Sequence, residues 1–102
     1  ISEILDTLSI KYKTEYIFKN CINQKTGRHL RFDFYLPDYN CCIEYDGLQH
    51  FEETNWKHEN LSMVIYRDNV KNEYCQKNGI KLIRIPYWEY DNLDSQYMLS
   101  LL

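Results

Sequence analysis

Glycine is scarce in this 102-residue chain: Gly27, Gly47 and Gly79 are its only three, and each falls where a turn is expected. That excludes a glycine-rich loop that cradles phosphates, which needs several glycines within a few residues. A G-x-S-x-G elbow and a paired Cys/His arrangement are missing too, so nothing points to covalent catalysis. No run approaches the roughly 18 apolar residues of a membrane span, and there is no signal-peptide pattern. The four cysteines, Cys21, Cys41, Cys42 and Cys75, contain no C-x-x-C pair. They read as reduced, core-filling thiols in a cytoplasmic, reducing setting, and no zinc is expected. A basic excess is lacking as well: 12 Lys and Arg against 15 Asp and Glu leave a net charge of −3. A free-standing nucleic-acid binder usually shows the opposite balance. Any such affinity must come from a local basic patch, a metal-bridged contact or another domain. With 44% apolar and 26% charged residues, the chain is ordinary globular material of one domain.

The hydrophobic pattern orders the elements. Ser2 is placed to cap a short helix whose Ile4, Leu5 and Leu8 share a face. Residues 14–21 are rich in strand formers, and the polar stretch 23–28 with Gly27 reads as a hairpin connection. In HLRFDFYL (29–36), strict alternation would put Leu30, Phe32, Phe34 and Leu36 on one face and Asp33 on the other. Pro37 opens a turn, and CCIEYDG (41–47) is the next strand, with Cys41 and Cys42 on opposite faces. Residues 52–61 have no clear period and read as a loop. From about Ser62 to Asn78 a helix is expected, with Met63, Tyr66, Val70 and Tyr74 as its apolar stripe and Gly79 as its stop. A strand over 80–86 and a last helix capped by Asp91 or Asn92 complete an order αβββαβα. A strand–helix–strand crossover after a hairpin run implies an α/β (α+β) fold: a mixed sheet of about four strands flanked by helices.

What stands out is the acids in apolar company. Asp33, Glu44 and Asp46 lie in strand sequence, where burying an unpaired carboxylate costs several kcal/mol. Asp33 and Glu44 flank a tight turn, so pairing across it brings them close, with the turn setting whether they share a face. If they converge, two carboxylates and a backbone carbonyl make a hard oxygen site suited to magnesium, an ion that activates water for phosphodiester hydrolysis. The plainer readings are surface carboxylates, with Asp33 paired to Arg31 or Arg84, and a turn role for Asp46 beside Gly47. His50, just past the acidic strand, is a candidate general acid or base. Asp68, Lys71 and Cys75 share a helical face. They read either as an exposed Asp68–Lys71 ion pair or as a face overlooking the acids, with Asp68 orienting His50 and Lys71 offering charge to a phosphate.

The two blocks FDFYLPDYNCCIEYDGLQH and RDNVKNEYCQKNGIKLIRIPYWE together resemble the very-short-patch-repair-like branch of the PD-(D/E)XK nuclease superfamily. They are nearest in pattern to the catalytic domains of EDxHD homing endonucleases of mobile introns. The resemblance, from Glu3 to Glu89, implies a restriction-endonuclease-like sheet and cleavage of double-stranded DNA with Mg²⁺, for which Mn²⁺ would substitute. By position, Asp33 is similar to the central metal-binding aspartate. Glu44 and the main chain at Tyr45 correspond to the second element of the metal site, and His50 to the catalytic histidine. Glu3 matches the acid of the first helix and Asp68 the last acid. Asp46 stands where the superfamily's lysine is expected, leaving its role to His50 or Lys71. The repair enzyme's zinc-binding cluster is absent, which favours mobility over mismatch repair. The chain opens on Ile1, so the expectation is a nuclease domain cut from a longer protein with a linked DNA-recognition region. A homodimer is left open, and no membrane partner is expected. The competing readings are an inactive nuclease-like module that binds DNA or protein, and a nuclease acting on RNA.

Overall fold

The computed structural model describes residues 1–47 and 61–102. Its elements are α1 (Ser2–Thr7), β1 (Lys13–Ile22), β2 (His29–Leu36), β3 (Cys41–Asp46), α2 (Leu61–Lys77), β4 (Lys81–Pro86) and α3 (Ser95–Leu101), with short 3₁₀ turns at Pro37–Tyr39 and Tyr87–Asn92. The four strands form one sheet in the order β1-β2-β3-β4. The first three are antiparallel neighbours, and β4 runs parallel to β3 after the α2 crossover. This is the mixed, helix-flanked α+β sheet that the pattern predicts.

The sheet separates two cores. On one face, α1 and α3 bring Leu5 and Met98 onto Leu36, Cys41, Ile43, Ile83 and Ile85. On the other, α2 brings Cys75, Val70 and Tyr74 onto Leu30, Phe32 and Cys42. Cys41 and Cys42 point to opposite faces, as their adjacency in a strand requires. Covered on both sides, β3 is buried at five of its six positions. All four cysteines are free and buried. Burial pushes the Cys21 and Cys41 thiols up to about 11, which keeps them inert near neutral pH.

Four expectations are corrected. Strict alternation in β2 fails: Leu30 and Phe32 pack with α2, whereas Phe34 and Leu36 pack with α1 and α3. The strand changes faces at Asp33. Opposite it, between the pairs Thr14↔Phe34 and Tyr16↔Phe32, Glu15 of β1 takes a left-handed φ of 49°. On α2, Met63 is 44% exposed and Val64 is buried in its place, so the apolar stripe starts one residue later. Ser2 lies inside α1, whose N-cap is Ile1 with no side-chain bond. The last helix is capped by Asp94, whose Oδ1 accepts from the Tyr97 N–H at 2.7 Å, because residues 87–92 are taken up by the 3₁₀ turn.

The β2–β3 turn fixes the register on which the acids depend. Asn40 adopts a left-handed φ of 46°, a conformation asparagine tolerates. Its side chain accepts from the Tyr35 hydroxyl at 2.9 Å and donates to the Gly79 carbonyl at 3.1 Å. Leu36 then pairs with Cys41, and Phe34 with Ile43.

Candidate functional site: an acidic cleft where two strands part

The β2–β3 ladder is regular from Leu36↔Cys41 to Phe34↔Ile43. At the next position, side chains replace ladder bonds. The Asp33 N–H donates to Glu44 Oε2 at 2.8 Å, and the Tyr45 N–H donates to Asp33 Oδ2 at 2.8 Å. Each carboxylate thus satisfies a backbone donor of the facing strand, which would be costly to leave orphaned in a buried place. Glu44 is only 3% exposed, which removes the surface reading for it. Its other oxygen, Oε1, accepts from the ammonium of Lys71, which comes down from α2 and lies 5.2 Å above the Phe32 ring.

Asp33, Glu44, Tyr45, Val64, Arg67, Asp68 and Lys71 line a cleft of about 180 Å³. Burial, and then the negative charge of Glu44, push the Asp33 carboxyl up from 3.8 to about 6. The Tyr45 N–H and the Lys71 charge pull the other way and only partly offset them. A carboxylate pair under that strain favours a cation in the cleft.

The remaining sequence candidates divide. Asp46 lies inside β3, not in a turn, and Arg84 Nη1 holds its Oδ1 at 3.0 Å. The same arginine reaches Asp68 Oδ1 at 3.4 Å, the Asp68 carbonyl at 3.3 Å and Asn72 Oδ1 at 3.0 Å. Arg84 therefore serves Asp46 and Asp68 and not Asp33. The exposed Asp68–Lys71 pair is replaced by two separate pairs, Asp68 with Arg84 and Lys71 with Glu44. Asp68 and Lys71 do overlook the acids, while Cys75 is buried in the core below them. Glu3 is exposed on α1, across the sheet from α2, and is not among the residues lining the cleft. His50 lies outside the described residues.

Arg67 escaped the sequence reading, and Arg84 entered it only as a partner for Asp33, not for Asp46 and Asp68. Arg67 stands four positions before Lys71, the i, i+4 spacing that puts both on one face. Arg84 is a lone charge between Ile83 and Ile85, the same signal that singled out the acids of β3.

Among the described residues no group of three or more Asp, Glu, His or Cys side chains is gathered for a metal. The carboxylates that line the cleft are Asp33, Glu44 and Asp68, the last of them held by Arg84. That set fits magnesium, which binds through one or two carboxylates and keeps the rest of its shell for water and substrate phosphate. It does not fit a closed structural zinc site.

A scan against protein-family models finds no match. The chain is 41% identical over 73 residues to uncharacterized protein 094L of Frog virus 3, covering 68% of this chain and 47% of that protein. It is 35% identical over 68 residues to uncharacterized protein 033L of Invertebrate iridescent virus 3, covering 64% and 35%. Against uncharacterized protein 307L of Invertebrate iridescent virus 6 it is 30% identical over 81 residues, covering 76% and 41%. The chain spans about half the length of these relatives or less. Among solved structures, the catalytic domain of homing endonuclease I-Bth0305I superposes with a TM-score of 0.65 at 22% identity, covering 98% of this chain and 86% of that one. The chain therefore has the fold of a homing endonuclease catalytic domain.

Proposed function

We propose that this chain is a divalent-metal-dependent DNA endonuclease domain of the homing-endonuclease type, a member of the very-short-patch-repair-like branch of the PD-(D/E)XK superfamily. One observation carries the reading: Asp33 and Glu44 are clasped at the point where β2 and β3 part, in a cleft that also holds Lys71. On this fold, that arrangement has the donors and the charge for phosphodiester hydrolysis. Asp33, Glu44 and the Tyr45 carbonyl would hold Mg²⁺, with Mn²⁺ substituting. The ion, when bound, supplies an activated water and charge stabilisation at the phosphate.

The chain's own groups do the rest. Lys71 neutralises Glu44 in the free protein and turns its charge toward a bound phosphate, standing in for the lysine that Asp46 replaces in the strand. Arg84 holds Asp46 and Asp68, so α2 keeps its station over β3. His50 would move the proton, with Asp68, which lines the cleft, orienting it. The domain belongs to a longer, intracellular protein that supplies a DNA-recognition region.

The test is nicking of supercoiled plasmid by the pure chain with Mg²⁺ against EDTA, alongside Asp33→Ala. Metal-dependent nicking that Asp33→Ala abolishes without loss of fold is expected. Full activity in that variant overturns the mechanism. A second reading, an inactive nuclease-like binding module, has one observation in its favour: Lys71 already occupies a Glu44 oxygen that a metal would use. Plasmid that stays intact with Mg²⁺ and with Mn²⁺ decides for it.

A further inference from the structure

Beside the acidic cleft lies a larger hollow of about 670 Å³, between α2 and the β1–β2 hairpin. Arg67 and Lys71 line both, so the two hollows share a wall on α2. Across from them the hairpin contributes Arg28, His29 and Arg31. Five of the lining residues are thus Arg, Lys or His, and no carboxylate is among the described lining residues. In a chain where acids outnumber Lys and Arg by 15 to 12, such one-sided clustering is a local field, not a reflection of composition.

Arg28 and Arg31 are exposed, so their forked guanidinium groups face solvent, where they suit phosphate oxygens. The cations come from two elements and line an open trough larger than one phosphate needs, which fits a polyanion rather than a small ligand.

We propose that this hollow seats the phosphate backbone of duplex DNA. Arg28 and Arg31 grip phosphates on the hairpin side, and the strand passes Arg67 and Lys71 to reach Asp33. The choice of DNA rests on the nuclease reading; the cationic seat does not. It also gives a net-acidic chain the local basic patch that its composition lacks.

The test is fluorescence anisotropy with a short labelled DNA duplex in EDTA, across a salt series, so that cleavage plays no part. Both arginines are exposed, and a thermal melt checks that each variant is folded. Arg28→Ala/Arg31→Ala is expected to lose affinity roughly tenfold or more and to flatten the log–log salt slope by about two. Arg31→Lys, which keeps the charge, is expected to bind near the wild-type level. Wild-type affinity and slope in the double alanine variant overturn the seat, and tighter binding of an RNA duplex overturns the choice of DNA. If the wild-type chain binds through these arginines yet never nicks plasmid with Mg²⁺, the seat stands and the nuclease reading falls. If it nicks, but the double variant binds and nicks equally well, the seat alone falls.

Discussion

Asp33 does two jobs that conflict. Its carboxylate caps the Tyr45 N–H, which helps the fold, but it is charged beside Glu44 in a partly buried cleft, which opposes the fold. A carboxyl raised from 3.8 to about 6 is more basic in the folded state, so the folded protein holds the extra proton in that window. The contribution of Asp33 to stability in EDTA should therefore fall as pH rises from 3.8 to about 6, the reverse of a salt-bridged aspartate. Asp33→Asn keeps an acceptor for Tyr45 and removes the charge. Above pH 6 it should melt at a higher temperature than wild type in EDTA, and near pH 3.5 the advantage should vanish. Thermal unfolding across pH reads this directly, and an unchanged difference between the two proteins at all pH values would contradict it. Strain of this kind, relieved by a ligand, is what functional sites carry. Asp33 and Glu44 were legible as site residues because acids in apolar strand sequence require a reason. Their reciprocal backbone bonds were not, since these arise only where the two strands part.

The site is assembled between elements, and Arg84 is the joint. Standing on β4 in register with Glu44, it ties Asp46 of β3 to Asp68 and Asn72 of α2. Lys71 lies one turn further along α2, so the same joint sets where its ammonium meets Glu44. Arg84→Ala should cost about 2 kcal/mol, below the full value of a buried pair because the arginine is partly exposed. In hydrogen exchange, the amides of α2 should open sooner than those of β3, and uniform loss of protection would count against a joint at this position. The order of the elements could be read from periodicity and turn residues alone. The fine placement could not. β2 crosses from one core to the other at Asp33, so its even-numbered apolar residues serve both faces, and no fixed period describes such a strand. Met63 and Val64 exchange roles for a different reason: Met63, Val64, Ile65 and Tyr66 are consecutive apolar residues that point to all sides of α2, so periodicity alone does not pick the buried one.

At the scale of the molecule, an acidic chain presents acids and bases on adjoining stretches of one surface. The acids gather where β2 and β3 part, and the arginines gather on the hairpin and the facing side of α2. The sum over the sequence, −3, hides this division, which is why composition argued against a nucleic-acid partner while the fold gathers cations in one hollow. The two-block pattern from Phe32 to Glu89 was enough to anticipate the fold of a homing endonuclease catalytic domain at 22% identity, since it marks strand, turn, strand and crossover helix in order. The central claim is that the Asp33–Glu44 clasp is a metal site. Anomalous scattering from a crystal soaked in Mn²⁺ tests it most directly. A peak within coordination distance of the Asp33 carboxylate and the Tyr45 carbonyl is expected, with the Lys71 ammonium moved off Glu44. A cleft without a peak at saturating Mn²⁺, with Lys71 still bonded to Glu44, would contradict it.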